Sequence, residues 1–134
     1  MRRAIGFCAL GVLLSFHAGA TSTICKIGDS NGLNPTAISW DTETRKAKVS
    51  DPQRGELEGK LTLSRSGGSW GTAVNLRFVD PHQLFDDELE FYVFPMLLQS
   101  QGYRVIGVGY EVFGSERYLR GLIAKSLPAS CSSL

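Results

Sequence analysis

A small antiparallel β-protein is the fold class this sequence predicts, and three observations predict it. Apolar residues alternate with polar ones in short runs, Gly-containing turns separate the runs, and Cys25 and Cys131 stand near opposite ends of the chain beyond an apolar leader. Runs of that length and period, joined by tight turns, read as strands with one buried face. A Cys25–Cys131 disulfide would lay the first segment beside the last, and in a meander that adjacency closes the sheet. A barrel of about eight strands is therefore expected, with a sandwich as the alternative.

The leader comes first. Residues 1–20, MRRAIGFCALGVLLSFHAGA, hold Arg2 and Arg3, an apolar run from Ala4 to Phe16, and the small-x-small ending Ala18-Gly19-Ala20. These are the parts of a cleavable secretory signal, too short for a membrane anchor. The expectation is Sec-type export to the periplasm or the medium, with one β domain over residues 21–134. The chain has 14 basic and 13 acidic residues, a formal charge of +1, and losing Arg2 and Arg3 takes this to −1. Nothing basic enough for nucleic acid or a membrane surface remains, and no second apolar run approaches spanning length. In an oxidising compartment the two remaining cysteines pair. Closing so long a loop stabilises by up to roughly 4–5 kcal/mol on chain-entropy grounds. No CxxC or Cys/His cluster is present, so no cofactor or structural zinc is expected.

Along the chain, STICKI, before the Gly/Asn-rich GDSNGLNP, reads as an opening strand. In TAISWDTETRKAKVSD, Ile38 and Trp40 can face Val49 and Ala47 across a four-residue loop, with Asp41 opposite Lys46. In GELEGKLTLSRSGGSWGTAVNLRFVD, Gly67-Gly68 suits a two-residue primed turn. That turn sets Leu57, Leu61 and Leu63 opposite Phe78, Val74 and Thr72, Glu58 opposite Arg77, and Arg65 opposite Trp70. Apolar residues then share one face and complementary charges the other.

ELEFYVF, with Leu89, Phe91 and Val93 alternating ahead of Pro95, reads as a strand. In YRVIGVGYEVFGSERYLRGLIAKS, a Gly114-Ser115 turn pairs Ile106 with Ile123, Val108 with Gly121 and Tyr110 with Leu119. The rival there is a C-terminal helix from Ser115 to Leu127, striped by Tyr118, Leu119, Leu122 and Ile123 and ended by Pro128. Gly121 counts against it. Gly107, Gly109 and Gly121 within strands suggest bulges or sharp coiling.

Chemistry concentrates in FVDPHQLFDDELEF, where five carboxylates surround His82, the only histidine outside the leader. Asp80-Pro81 suits the opening of one helical turn, with Leu84 and Phe85 plugging a barrel end and Asp86, Asp87 and Glu88 left solvated. His82 with Asp80 and Asp86 is the catalytic candidate, although no G-x-S-x-G serine accompanies it. His82, Asp86 and Asp87 are the metal candidates, although neither a calcium-loop pattern nor a second imidazole supports them. Arg65 and Trp70 form a candidate binding pair, because Trp and Arg are enriched at interface anchors. Tyr92, Phe94, Tyr103 and Tyr118 would form an aromatic patch on the face away from the core.

An exported, disulfide-tied domain of this build is similar to the small periplasmic barrels that inhibit lysozyme. SGGSW at 66–70 resembles the Ser-Gly-x-x-Tyr inhibitory loop of one such family, with Trp where Tyr belongs. The resemblance covers five residues and the family's other motifs are missing. Three functions stand as expectations. The leading one is a non-enzymatic exported binding protein, inhibitor- or immunity-like, whose protein or small-molecule partner the sequence does not name. The others are a hydrolase using His82 and its neighbouring carboxylates, and a small-ligand carrier with a pocket inside the barrel.

Overall fold

The computed structural model describes residues 22–28, 34–68, 71–83, 86–96 and 102–133. The leader lies outside them, as do Trp70, Leu84 and Phe85, so the Trp70 anchor and the two-residue plug are not among the described features. Eight antiparallel strands run in chain order: β1 (Ser22–Ile27), β2 (Ala37–Asp41), β3 (Lys46–Asp51), β4 (Gly55–Ser66), β5 (Thr72–Val79), β6 (Glu88–Pro95), β7 (Tyr103–Phe113) and β8 (Glu116–Ser133). Each pairs with the next and β8 returns to β1, giving a closed barrel in meander order. The sandwich alternative is thereby excluded. So is the C-terminal helix, because residues 116–133 form one strand laid against both β7 and β1. At the seam Cys25 stands opposite Cys131, and the two sulfurs are bonded. Such a bond belongs to an oxidising environment.

Alternation in every strand sends one set of side chains inward. Ile38, Val49, Leu61, Leu76, Phe78, Leu89, Phe91, Val93 and Val105 are all at most 2% exposed, and together they fill the barrel axis. The Phe78 and Phe91 rings meet edge to face at its centre, with centroids 5.7 Å apart. Burying each such side chain contributes about 1.5–3 kcal/mol, an upper figure against an extended reference chain. Trp40 joins this core.

Two hairpins match their expected pairing near the turn. Ile38 faces Val49 and Trp40 faces Ala47, and Asp41 closes the loop by accepting the Glu43 and Thr44 amides. Across the Gly114-Ser115 turn Tyr110 faces Leu119, and beyond that pair the ladder slips. Gly109 pairs Gly121, Val108 pairs Leu122 and Gly107 pairs Ala124, because β8 gains residues at successive bulges. The expected Ile106–Ile123 and Val108–Gly121 pairs are therefore not formed.

The β4–β5 register differs more. Gly67 and Gly68 do not make a two-residue turn. Residues 67–71 form a longer connection, closed by a hydrogen bond from the Gly67 amide to the Gly71 carbonyl. Lys60 consequently faces Arg77, Leu61 faces Leu76, and Arg65 faces Ala73. Near the base the slip is an even number of residues, so Leu57 and Leu61 keep the inward face. Between Leu61 and Leu63 the register shifts again, a bulge at Thr62 that leaves Leu63 outward and 52% exposed.

The 80–87 connection also departs from expectation. Asp80 caps a turn, its carboxylate accepting the His82 amide while Gln83 donates to the Asp80 carbonyl. The described residues here are not helical: Gln83 takes φ +49°, which ends the turn. Asp86 is buried rather than solvated, because it closes onto the Arg54 guanidinium. Tyr103 also departs from the outer aromatic patch, because it packs against the core.

Candidate functional site

Two groups of charged side chains stand out, one at the lower end of the barrel and one on its outer wall. The lower end carries the 52–54 turn, the 80–87 connection and the β7–β8 turn. There Asp51 and Asp80, each followed by proline, fold their carboxylates back onto local amides: Asp51 accepts from Gln53 and Arg54, Asp80 from His82. Arg54 then spans the barrel end. Its guanidinium meets Asp51 at 3.0 Å, Asp86 at 2.9 Å and Asp80 at 3.9 Å, and its side chain is only 4% exposed. Arg120, half-exposed, adds a contact to Asp86 at 3.8 Å. The Asp86 carboxylate fits because residue 109 is glycine: any Cβ there would collide with it.

This placement decides how the sequence-derived candidates relate. Asp80 and Asp86 do converge, but on Arg54. His82 offers its backbone amide to Asp80 while its side chain is exposed. Asp87 accepts the Val112 amide. Among the described residues no group of three or more His, Cys, Asp or Glu side chains is arranged to hold a metal. Carboxylates held this way act as a clamp between two turns, since their lone pairs are directed at a guanidinium and local amides rather than at solvent.

The outer wall differs. Because Leu89, Phe91 and Val93 point inward, Glu88, Glu90, Tyr92 and Phe94 point outward. Direct cross-strand partners share a face, so three rows run around the wall. The lowest is Val79–Glu88–Tyr110–Leu119, the middle Arg77–Glu90–Val108–Leu122, and the highest Leu63–Asn75–Tyr92–Ile106. At their centre Glu90 is 4% exposed even though it faces out, because its neighbours fold over it. Tyr92 donates its hydroxyl to Glu90 at 3.1 Å, Arg77 lies 3.5 Å away, and Arg117 lies 3.7 Å away. Arg117 also binds Glu88 at 2.7 Å and stacks 3.9 Å from the centre of the Tyr110 ring.

Burial alone pushes the Glu90 carboxyl up, but hydrogen bonds from Tyr92, Asn75 and Tyr110 and the Arg77 charge outweigh it and hold it below its usual range. Burial beside Glu90 and its negative charge push the Tyr92 phenol up to about 12. Burial works against the charge on Arg117, and Glu88 and Glu90 overcome it, raising its pKa. The knot sets two carboxylates, Glu88 and Glu90, against two guanidiniums, Arg77 and Arg117. Three of its buried polar atoms, Asn75 Oδ1, Arg77 Nε and Arg117 Nη2, make no hydrogen bond.

Beside the knot, Leu63, Arg65, Ala73, Asn75, Tyr92 and Phe94 line a groove of about 330 Å³. Two sequence-derived binding candidates, Arg65 and Tyr92, thus meet in one groove, although Arg65 faces Ala73 and not Trp70. Tyr118 does not join them. It lies at the β7–β8 turn, against Phe113 with ring centroids 5.9 Å apart and hydrogen-bonded to Glu116.

Sequence reasoning missed Arg54, Glu90 and Arg117. For Arg54 a signal existed: Asp51-Pro52 repeats Asp80-Pro81, and both close turns at the same barrel end. No helix among the described residues is long and apolar enough to cross a membrane. No protein-family model, curated protein or solved structure matches this chain significantly.

Proposed function

We propose that this protein is an exported, non-enzymatic binding domain, inhibitor- or immunity-like, that takes a partner on the outer wall formed by β4 to β8. One observation carries the reading. Leu63, Val79, Leu119 and Leu122, each more than half exposed, surround a knot of Arg, Tyr and Glu side chains that is already largely desolvated. Exposed apolar groups around partly dry Arg and Tyr anchors make the composition of an interface centre. Arg77 and Arg117, 35% and 26% exposed, keep part of their guanidiniums within reach of a partner.

The other readings find less support. A hydrolase built on His82 lacks free carboxylate partners, because Asp80 and Asp86 are bound to Arg54. An interior carrier has no evident room, since Phe78 and Phe91 fill the axis. Residues 21–134, immobilised and exposed to envelope extract, are expected to capture a partner saturably. Arg65→Glu combined with Tyr92→Ala is expected to abolish capture while leaving the thermal midpoint within a few degrees. Absence of any saturable partner for the unaltered protein counts against the proposal, and so does capture that the double variant leaves unchanged.

A further inference from the structure

The upper end of the barrel holds a second concavity, remote from both charged groups. It measures about 340 Å³ and opens where β1, β5 and β7 begin and β2 and β8 end. Its wall is unusual in chemistry. Six of its lining residues, Thr23, Thr42, Thr72, Tyr103, Ser132 and Ser133, are hydroxyl-bearing, and none of its described lining residues carries a charge. Trp40, 6% exposed, and the Cys131 half of the disulfide supply the apolar part of the lining.

The wall is also built to hold its shape. Ser133 pairs with Thr23 and Thr23 with Trp40, so three lining residues form one row across three strands, next to the bonded Cys25–Cys131 pair. Gly71 completes the rim at φ +100°, a conformation that favours glycine. A Cβ there would stand 3.0 Å from the Tyr103 hydroxyl and 3.2 Å from Pro95 Cβ. Glycine thereby leaves the Tyr103 hydroxyl room at the mouth.

This lining selects a ligand class by exclusion. An ion would give up hydration without meeting an opposite charge. A hydrocarbon would strip water from several hydroxyls and return no hydrogen bond. An extended peptide adds to a sheet edge, and at this end of the barrel β1 and β8 are paired through Ser133. A hydroxyl both donates and accepts, so it matches best a ligand whose own groups do the same. Barrel mouths are common ligand sites, and this volume is at the small end of their range of about 300–1,000 Å³.

We propose that the upper mouth of the barrel binds a short neutral saccharide, with the C–H edge of a sugar ring against the accessible edges of Trp40 and Tyr103 and its hydroxyls on the Thr and Ser groups of the wall. The site is separate from the outer-wall groove, so either proposal can fail without the other.

The test uses isotope-labelled protein spanning residues 21–134 and amide and indole NMR. The probes are glucose, N-acetylglucosamine and their β-1,4-linked disaccharides, with sodium phosphate and the neutral peptide N-acetyl-trialanine amide as comparison arms. At least one saccharide is expected to give saturable shifts, with Kd on the order of 1 mM, confined to Thr23, Thr72, Ser132, Ser133 and the Trp40 indole. Tyr103→Phe keeps the ring and is expected to weaken binding about tenfold, the equivalent of about 1.4 kcal/mol. Ser133→Ala, at an exposed position in the Ser133–Thr23–Trp40 row, is expected to weaken it about threefold. Shifts that stay linear to the highest concentration of every saccharide overturn the proposal. Saturation by phosphate or by the peptide instead of a saccharide overturns it equally, and so does saccharide binding that both variants leave unchanged.

Discussion

The two charged groups use the same side chains to opposite ends. At the lower end one guanidinium serves three carboxylates in a nearly dry setting, and side-chain exposures of Arg54, Asp51 and Asp80 do not exceed 4%. On the outer wall two guanidiniums serve two carboxylates, and Arg77 and Arg117 remain 35% and 26% exposed. The first arrangement commits its hydrogen-bonding capacity to holding two turns together. The second keeps part of both guanidiniums in contact with solvent. Ion-pair density is thus a poor guide to function, and a clamp differs from a recognition surface in how much of the pair still reaches water.

The strongest way to break this contrast is Arg54→Leu. Three buried carboxylates would lose their shared cation, and leaving such charges unpaired costs about 3–5 kcal/mol. Urea unfolding at neutral pH measures it, and a loss below about 1 kcal/mol would mean the clamp contributes little. Gly109→Ala tests the same region sterically. The added methyl displaces the Asp86 carboxylate, and the expected loss is about 1–3 kcal/mol. Equal stability of the variant and the parent would show that the 80–87 connection yields freely.

On the outer wall the effects are smaller. Glu90→Gln is expected to cost about 1 kcal/mol at pH 7, because the partnering arginines are partly in water. The folded-state pKa of Glu90 is depressed, so its contribution is present above the unfolded value of about 4.3 and disappears as pH falls through the lower folded value. The gap between parent and variant should therefore be constant near neutrality and close in acid. A gap that widens as pH falls contradicts this sign. Smallest in stability but sharpest in readout is Tyr92→Phe. Ultraviolet titration of the parent should show one phenol ionising near 12, and that component should be missing from the variant.

Much of the fold was legible because local chemistry and long-range pattern agreed. The four-residue loop after Asp41 carries its own Asx turn, so Ile38 and Trp40 meet Val49 and Ala47 without ambiguity. Cys25 and Cys131 announced the seam. Register was less legible wherever a bulge intervenes. Nothing in LTLSRS marks Thr62 as the extra residue, since its side chain bonds the Asn75 carbonyl only once the strands are paired. Gly67-Gly68 misled because a glycine pair suits a tight turn as well as a longer one. The candidate sites were harder still. Arg54 reaches Asp86 and Arg117 reaches Glu88 across about thirty residues of chain, and no periodicity connects residues so far apart. Tyr92 and Arg65 were singled out by residue type, while their meeting in one groove depended on the β4 bulge.

The closed ring carries one last consequence, for behaviour outside the native state. Where β1 closes on β8, Thr23–Ile27 against Ala129–Ser133, the sheet offers other chains no row of unpaired amides and carbonyls to extend. Unzipping that pair would turn the ring into a ribbon with two adhesive edges. The Cys25–Cys131 bond lies in that strand pair. Reductant should therefore lower solubility before it abolishes secondary structure, as ribbons add edge to edge, and light scattering should rise ahead of any loss of far-ultraviolet dichroism.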